Sequence, residues 1–542
     1  MRVMPAVGRR PAVGAITGLI SRNRLFAVTL AVAALIRLDI ELGYRWQSWF
    51  NDSWGYVDSA VTLQLGTTRV SGYSLFLYLL RPFHSFALVT VAQHLMGLLV
   101  GVMIYALARR RFSAPSWLAV LMTLPVLFDG YELIIEHMVM SDTLFLFLVM
   151  LALMIMLWWP LRDDAGTPRW RVLWLRCAVA GLLLSLSALV RSDGLAMLGI
   201  TGLWILLALG LGRVGWRKFI ASAVAFGVMG LAPVVGYESW YHAQHGQFAM
   251  SASTGVFPYS RVMAFADCSK MGNLPVDLLA LCSTVPPSQR PISQDYIWDL
   301  TTPLNRFPAP KFSPLPNSIA RQFAIRAIES QPFAYAEIVL KDTWRAFYWP
   351  HTAYPNDQTA DLYLFGYNSV PIASGHAADG YPSSAQAYLG GANPQTQVVN
   401  PFAGAIRVYQ RYVWLPGTIY GLILLAGAIG IVLVWRRRGR ADGLAVLLPW
   451  ITSLVLIVIP AATADFDYRY VTTAVPFACL AAAMSYGKSA AAQSRSGARV
   501  ASGAGAEAGG TPSLASRLTG GRLGGGPVGA GDDKRNLAPD AS

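Results

Sequence analysis

Charge is what this sequence has least of. Asp, Glu, Lys and Arg together make up 13% of its 542 residues, against roughly a quarter in soluble globular proteins. That deficit excludes an ordinary soluble domain. Hydrophobic residues supply 54% of the chain, and the mean hydropathy is +0.43. Many apolar runs are long enough to cross a bilayer, so a polytopic, all-α membrane protein is expected. No cleavable signal peptide is expected, because the arginines at 9, 10, 22 and 24 precede a span without an A-x-A site. Lysine is sparse, and the net charge of +14 is almost all arginine. Its clusters sit between apolar runs, which points to inner loops facing anionic lipid rather than to nucleic acid. No His or Cys pair has metal-ligand spacing, so no cofactor is expected. A divalent ion bridging acids remains an open alternative.

About ten spans are expected, at 25–42, 86–108, 115–131, 142–160, 172–190, 195–212, 219–240, 413–435, 443–461 and 469–487, with Pro125 interrupting the third. The loops between them alternate in charge. "RRRF" at 109–112, the arginines at 162, 169 and 171, "GRVGWRK" at 212–218 and "RRRGR" at 436–440 all fall on the side of the N-terminus. The positive-inside rule therefore places both termini in the cytoplasm of a plasma-membrane protein. The expected organisation is a cytoplasmic segment at 1–24, a membrane module at 25–240 with a first outer loop at 43–85, and a large outer loop at 241–412. Membrane helices follow at 413–487. The Ala-, Gly- and Ser-rich tail at 488–542 is expected to be disordered.

The acids gather on the outer side. Asp52 and Asp58 lie in the first outer loop, and Glu132, Glu136 and Asp142 in the second. Arg191 and Asp193 form "RSDG", while Asp465, Asp467 and Arg469 form "DFDYRY". Only the Asp163–Asp164 pair makes an acidic cluster on the inner side. Ionisable residues at the edge of a membrane are costly and mark function. Asn51 and Asp52 can cap a helix starting near Ser53. Tyr56, Ala60 and Leu63 then recur at helical spacing, and Trp54 and Tyr56 suit a helix lying on the interface. A carboxylate at Asp52 could accept a proton from a nucleophile. "NDS" at 51–53 matches a glycosylation sequon, but the Ala- and Arg-rich composition suggests a high-GC bacterium.

In the large loop, Asn317 can cap a helix over 318–330, and "QP" at 331–332 breaks it. A second helix, 333–348, carries Phe333, Glu337, Leu340, Trp344 and Phe347 along one stripe, as a packed subdomain or a lid. Cys177 and Cys479 fall in spans as small hydrophobes. Cys268 and Cys282 share the outer loop and are expected to form a structural disulfide. His94, inside the second span, reads as a packed histidine. His137, between Glu136 and Asp142, is a candidate substrate contact.

This layout resembles the GT-C membrane glycosyltransferases that use polyprenyl-phosphate sugars, such as protein O-mannosyltransferases and lipid A aminoarabinose transferases. The resemblance rests on Asp52 followed by Tyr56, on "RVSGYSLFLYLL", "EHMVMSDTLFLFL" and "LVRSDGL", and on "YRYVTTAVPF". It runs over about residues 20–490. "YSRVMAFADCSK" and the stretch from Ala327 to Pro350 are similar to the large loop of actinobacterial members. Two departures stand out: Ser53 replaces the family's Glu, and "SGY" replaces its Lys-Pro-Pro.

The resemblance implies that Asp52 is the catalytic base, with Asp142 a second acid and Asp58 and Glu136 further candidates. Arg69, Arg191, Arg469 and Tyr470 would grip the donor phosphate, and Tyr56 and His137 would contact substrate. The implied reaction is transfer of a sugar, with inversion, to an extracytoplasmic glycan, lipid or protein. A transporter or lipid flippase is the alternative, although no inverted repeat is evident and the acids lie at the lip rather than midway.

Overall fold

The computed structural model describes residues 21–158, 170–368 and 381–487, except Arg22, Trp46 and Arg213. The arginines at 9, 10, 162 and 169, the Asp163–Asp164 pair, most of the 1–24 segment and the tail from 488 lie outside the described residues.

Every apolar run of the sequence is helical. Arg24–Gly43, Phe86–Ala106, Asp142–Leu157, Trp170–Val190, Gly194–Leu211, Trp216–His245, Gly417–Arg438, Arg440–Thr463 and Tyr468–Ser485 are single helices. The run at 115–131 is broken into Ser116–Leu121 and Leu124–Phe128. Pro125 sits in the first turn of the second piece, where its missing N–H has no intrahelical partner to lose. The chain then bends by 52° into Gly130–His137. By length and apolarity six helices qualify as spans among the described residues, or seven if the bent pair is one span. Arg24–Gly43, Asp142–Leu157 and Tyr468–Ser485 fall short, the first two for visible reasons. Arg24–Gly43 carries Arg37, Asp39 and Glu41, and Asp142–Leu157 has only 16 residues. The chain is an all-α, multi-pass membrane protein with almost no strand.

One ion pair explains the arginine in the first helix. Arg37 Nε and Nη2 donate to the two oxygens of Glu136, both at 2.7 Å, and both side chains are buried. Arg37 Nη1 donates to the carbonyls of Ala33 and Leu127. Gly97 lets this carboxylate lie against the Phe86–Ala106 helix, since a Cβ there would stand 1.8 Å from Glu136 Oε1.

The segments at 44–85 and 246–412 fold onto this bundle. Tyr44–Arg45 pairs antiparallel with Gln397–Val398, joining the loop after the first helix to the end of the large loop. Trp54 is not spread on the interface; it is buried and stacked on Trp49 with centroids 4.2 Å apart. Such pairing contributes about 0.5–1.5 kcal/mol beyond area burial. Tyr56 and Ala60 are buried as their spacing implies, whereas Leu63 ends the helix at φ 58°.

The large loop has its own core around Tyr259, Leu281 and Phe323, and Cys268 is bonded to Cys282. Asn317 lies inside a helix that already begins at Pro314. Its side chain accepts instead from the backbone N–H groups of Gly255 and Val256, capping the Val256–Val262 helix across the subdomain. The following helix, Pro332–Arg345, leaves Phe333, Leu340 and Trp344 exposed.

Candidate active site

The strip carrying Asp52 is set in place by backbone bonds before its side chains act. Ser48 N–H donates to the His137 carbonyl at 2.9 Å, and Val139 N–H donates to the Ser48 carbonyl at 3.1 Å. These bonds lay the loop after the first helix beside the approach to Asp142. A helix, Ser53–Thr62, follows. Asp52 occupies its N-cap position but makes no capping bond, contrary to the sequence expectation. Ser53 Oγ takes the Phe50 N–H locally.

The Asp52 carboxylate is engaged by arginines from two distant segments. Arg69 Nη2 donates to Oδ1 at 3.2 Å, and Arg469 Nη1 donates to Oδ2 at 2.9 Å. Arg469 Nε lies 3.1 Å from Asp467 Oδ2, and Tyr363 Oη donates to Asp467 Oδ1. Arg191 donates to Asp142 and also pairs with Asp193 at 3.1 Å. The guanidiniums of Arg191 and Arg469 both lie over the Tyr470 ring, at 5.2 and 5.3 Å from its centroid. Arg69 lies 5.1 Å over Phe257, a residue of the large loop.

Glycine makes part of this approach possible. A Cβ on Gly72 would stand 2.3 Å from the Leu189 carbonyl oxygen, two residues before Arg191. The "SGY" turn after Arg69 is thereby packed directly on the chain leading to Arg191.

Electrostatics follow from this placement. Burial disfavours the Asp52 anion, yet the charges of Arg69 and Arg469 outweigh it and hold the carboxyl well below the usual carboxylate range. Burial pushes Asp467 upward against the pull of Arg469. The Arg69 side chain is 35% exposed, while those of Arg191 and Arg469 are 11% and 7% exposed. Arg69 is thus the guanidinium most open to an incoming anion. Asp142 Oδ2 is buried without a hydrogen-bond partner.

Asp52, Arg69, Asp142, Arg191, Arg469 and Tyr470 therefore meet in one cluster. Tyr56 borders it, with Oη 3.1 Å from the Ser141 hydroxyl beside Asp142. Other candidates are placed elsewhere. Asp58 accepts from Ser384 Oγ at 2.6 Å, near the 381–388 helix. Glu136 is held by Arg37 and by His94 Nδ1 at 2.8 Å. His137 is buried, its Nε2 donating to the Tyr44 carbonyl at 2.7 Å.

Sequence reasoning left Asp193, Asp467 and Tyr363 out of the site. Asp193 and Asp467 each lie two positions from a chosen arginine, a spacing that does carry a signal. Tyr363 sits in "DLYLFGY", which carries none. Both Asp52 oxygens face guanidiniums, Glu136 is spanned by Arg37, and Asp142 Oδ1 accepts from Arg191.

No protein-family model matches the sequence, and no curated protein is similar to it in sequence. Some solved structures are similar to it. The chains it resembles are GT-C glycosyltransferases. One is the protein O-mannosyltransferase Pmt1–Pmt2 complex of S. cerevisiae bound to its sugar donor, with 14% identity, TM-score 0.32, and 44% of this chain and 36% of that one covered. Another is the oligosaccharyltransferase AglB of Archaeoglobus fulgidus, in complex with an inhibitory peptide and a dolichol-phosphate, with 13% identity, TM-score 0.38, and 92% and 53% covered. A third is ArnT of Cupriavidus metallidurans bound to undecaprenyl phosphate, with 14% identity, TM-score 0.34, and 88% and 80% covered. This chain spans about a third to a half of the length of the first two. Likeness this distant leaves the chemistry to be read from the cluster itself.

Proposed function

We propose that the protein transfers a sugar from a polyprenyl-phosphate donor to an acceptor on the outer face of the plasma membrane, with inversion at the sugar carbon. The observation that carries this reading is the Asp52 carboxylate bridged between Arg69 and Arg469, with Arg191 alongside across Tyr470.

A lipid phosphate is already a good leaving group. The protein must stabilise its charge, deprotonate the acceptor and hold both in line. Guanidinium forks suit the phosphate oxygens. As the donor phosphate engages Arg69, that arginine leaves Asp52, and the carboxylate becomes both accessible and more basic. The acceptor oxygen then bonds to the anomeric carbon while the carbon–oxygen bond to phosphate breaks. The acceptor proton passes to Asp52, and polyprenyl phosphate departs paired with arginine. Asp142 and Asp467 aim Arg191 and Arg469. With Asp142 tied to Arg191, a single displacement follows rather than a covalent glycosyl intermediate. Both termini then lie in the cytoplasm, with the cluster outside.

The test is transfer from a radiolabelled polyprenyl-phosphate sugar in membranes carrying wild-type or Asp52→Asn protein at equal levels. A general base contributes about 10²–10⁴-fold, so a loss of at least that order is expected. Unchanged transfer would remove Asp52 from this role, and lipid flipping without any transfer would favour a flippase.

A further inference from the structure

Away from the arginine cluster, three side chains from three segments converge at the outer end of the first helix. They are Glu41 in its last turn, His94 in the Phe86–Ala106 helix, and His137 at the end of Gly130–His137. His94 Nε2 and His137 Nδ1 stand 3.3 Å apart, and Glu41 Oε1 lies 3.7 Å from each. The histidines are 5% and 0% exposed in their side chains and Glu41 13%.

The surrounding hydrogen bonds decide which of these atoms carry hydrogens. The Tyr44 carbonyl can only accept, so His137 Nε2 carries a proton. Both Glu136 oxygens accept from Arg37, and Oε2 stands 2.8 Å from His94 Nδ1, so that ring nitrogen is the donor and carries a proton toward it. In the neutral rings, His94 Nε2 and His137 Nδ1 are therefore both lone-pair atoms, and they face each other. The third corner, Glu41 Oε1, has no hydrogen-bond partner, and Thr90 hydrogen-bonds the same carboxylate. Three electron-rich atoms thus converge with no donor among them. One proton could bridge one edge of this triangle, but it would leave the opposite corner unsatisfied.

A cation satisfies all three. Edges of 3.3, 3.7 and 3.7 Å enclose a point about 2.1 Å from every corner, the length of a zinc–imidazole or zinc–carboxylate bond. Each histidine donates its other ring N–H to an oxygen acceptor, the second shell that metal-bound imidazoles use. We propose that Glu41, His94 and His137 bind one divalent transition ion of the zinc class. The donor set, two imidazoles and a carboxylate, suits that class better than calcium or magnesium. The ion would tie the end of the first helix to the Phe86–Ala106 helix and to the segment that pairs with Ser48. It would thereby hold the strip that leads to Asp52. Sequence spacing did not reveal it because each ligand comes from a different segment.

The test uses full-length protein purified in detergent without chelator. Metal analysis should find close to one zinc-class ion per chain. After stripping, Co²⁺ titration should give the visible d–d bands of a low-symmetry nitrogen–oxygen site, saturating at one equivalent. The Glu41→Gln/His137→Phe double variant should hold less than a tenth of that metal, while His245→Ala, which alters a histidine outside the triad, should retain it. Chelation should lower the unfolding temperature of the wild type but not of the double variant. Absence of metal from the wild type, together with no Co²⁺ bands at micromolar concentrations, would mean that a proton bridges the histidines and would overturn the proposal. Full metal retention in the double variant would overturn it equally. The wild-type Co²⁺ measurement needs no variant, so a variant that misfolds does not shield the proposal.

Discussion

Arg469 donates to Asp52 at 2.9 Å across 417 positions of sequence. The contact joins the loop after the first helix to the start of the Tyr468–Ser485 helix, and both residues also face other charged groups of the site. Replacing Arg469 with Lys keeps the charge but loses the fork that reaches Asp52 and Asp467 together. Hydrogen bonds to charged groups contribute about 1.5–3 kcal/mol, so transfer should fall roughly 10–100-fold at unchanged protein level, as read by initial rates in membranes.

The depressed Asp52 carboxyl predicts a split pH profile. In the free protein Asp52 stays ionised far into acid, so the acidic limb of kcat/KM due to it should lie below the usual carboxylate range. Once the donor phosphate occupies Arg69, that limb should move upward in kcat. Arg69→Ala should raise the limb in kcat/KM as well. Identical limbs in both parameters, unmoved by the variant, would contradict release of the carboxylate by the donor.

Asp465, outside the spans, is pushed up to about 6 by burial from an ordinary value of 3.8. The folded chain therefore binds this proton more tightly than the unfolded chain. Its stabilising contribution is complete below about pH 4 and is lost as pH rises through about 6. Thermal unfolding at several pH values should show this decline in the wild type and a flatter profile in Asp465→Asn.

Glu136 is buried against Arg37. Arg37→Met leaves that carboxylate without its main partner, and breaking a buried pair from one side costs about 3–5 kcal/mol. The double change Arg37→Met/Glu136→Leu should recover much of the loss in unfolding measurements, although it also removes the acceptor that orients His94.

Gly72→Ala drives a Cβ to within 2.3 Å of the Leu189 carbonyl oxygen. Overpacking of this kind costs about 1–3 kcal/mol. Here the backbone that must yield leads to Arg191, so transfer should fall more than thermal stability does.

Part of the site was legible beforehand. Asp52, Arg191 and Arg469 stand out because a chain so poor in charge places them where apolar runs end. Asp58 gave the same local signal, yet it lies against Ser384. Glu136 and His137 also sit beside Asp142 in sequence. The short Gly130–His137 helix turns them inward, toward Arg37 and Tyr44 respectively.

Apolar run length was enough to mark an all-α membrane chain and to locate its long apolar helices, because crossing a bilayer imposes a length and a composition that any window of sequence displays. Which carboxylate meets which guanidinium was decided only in three dimensions. Asp52 gives up its local capping bond for Arg69 and Arg469, and Asn317 caps a helix other than its own. Such partners are chosen by which segments pack side by side, and spacing along the chain does not record that.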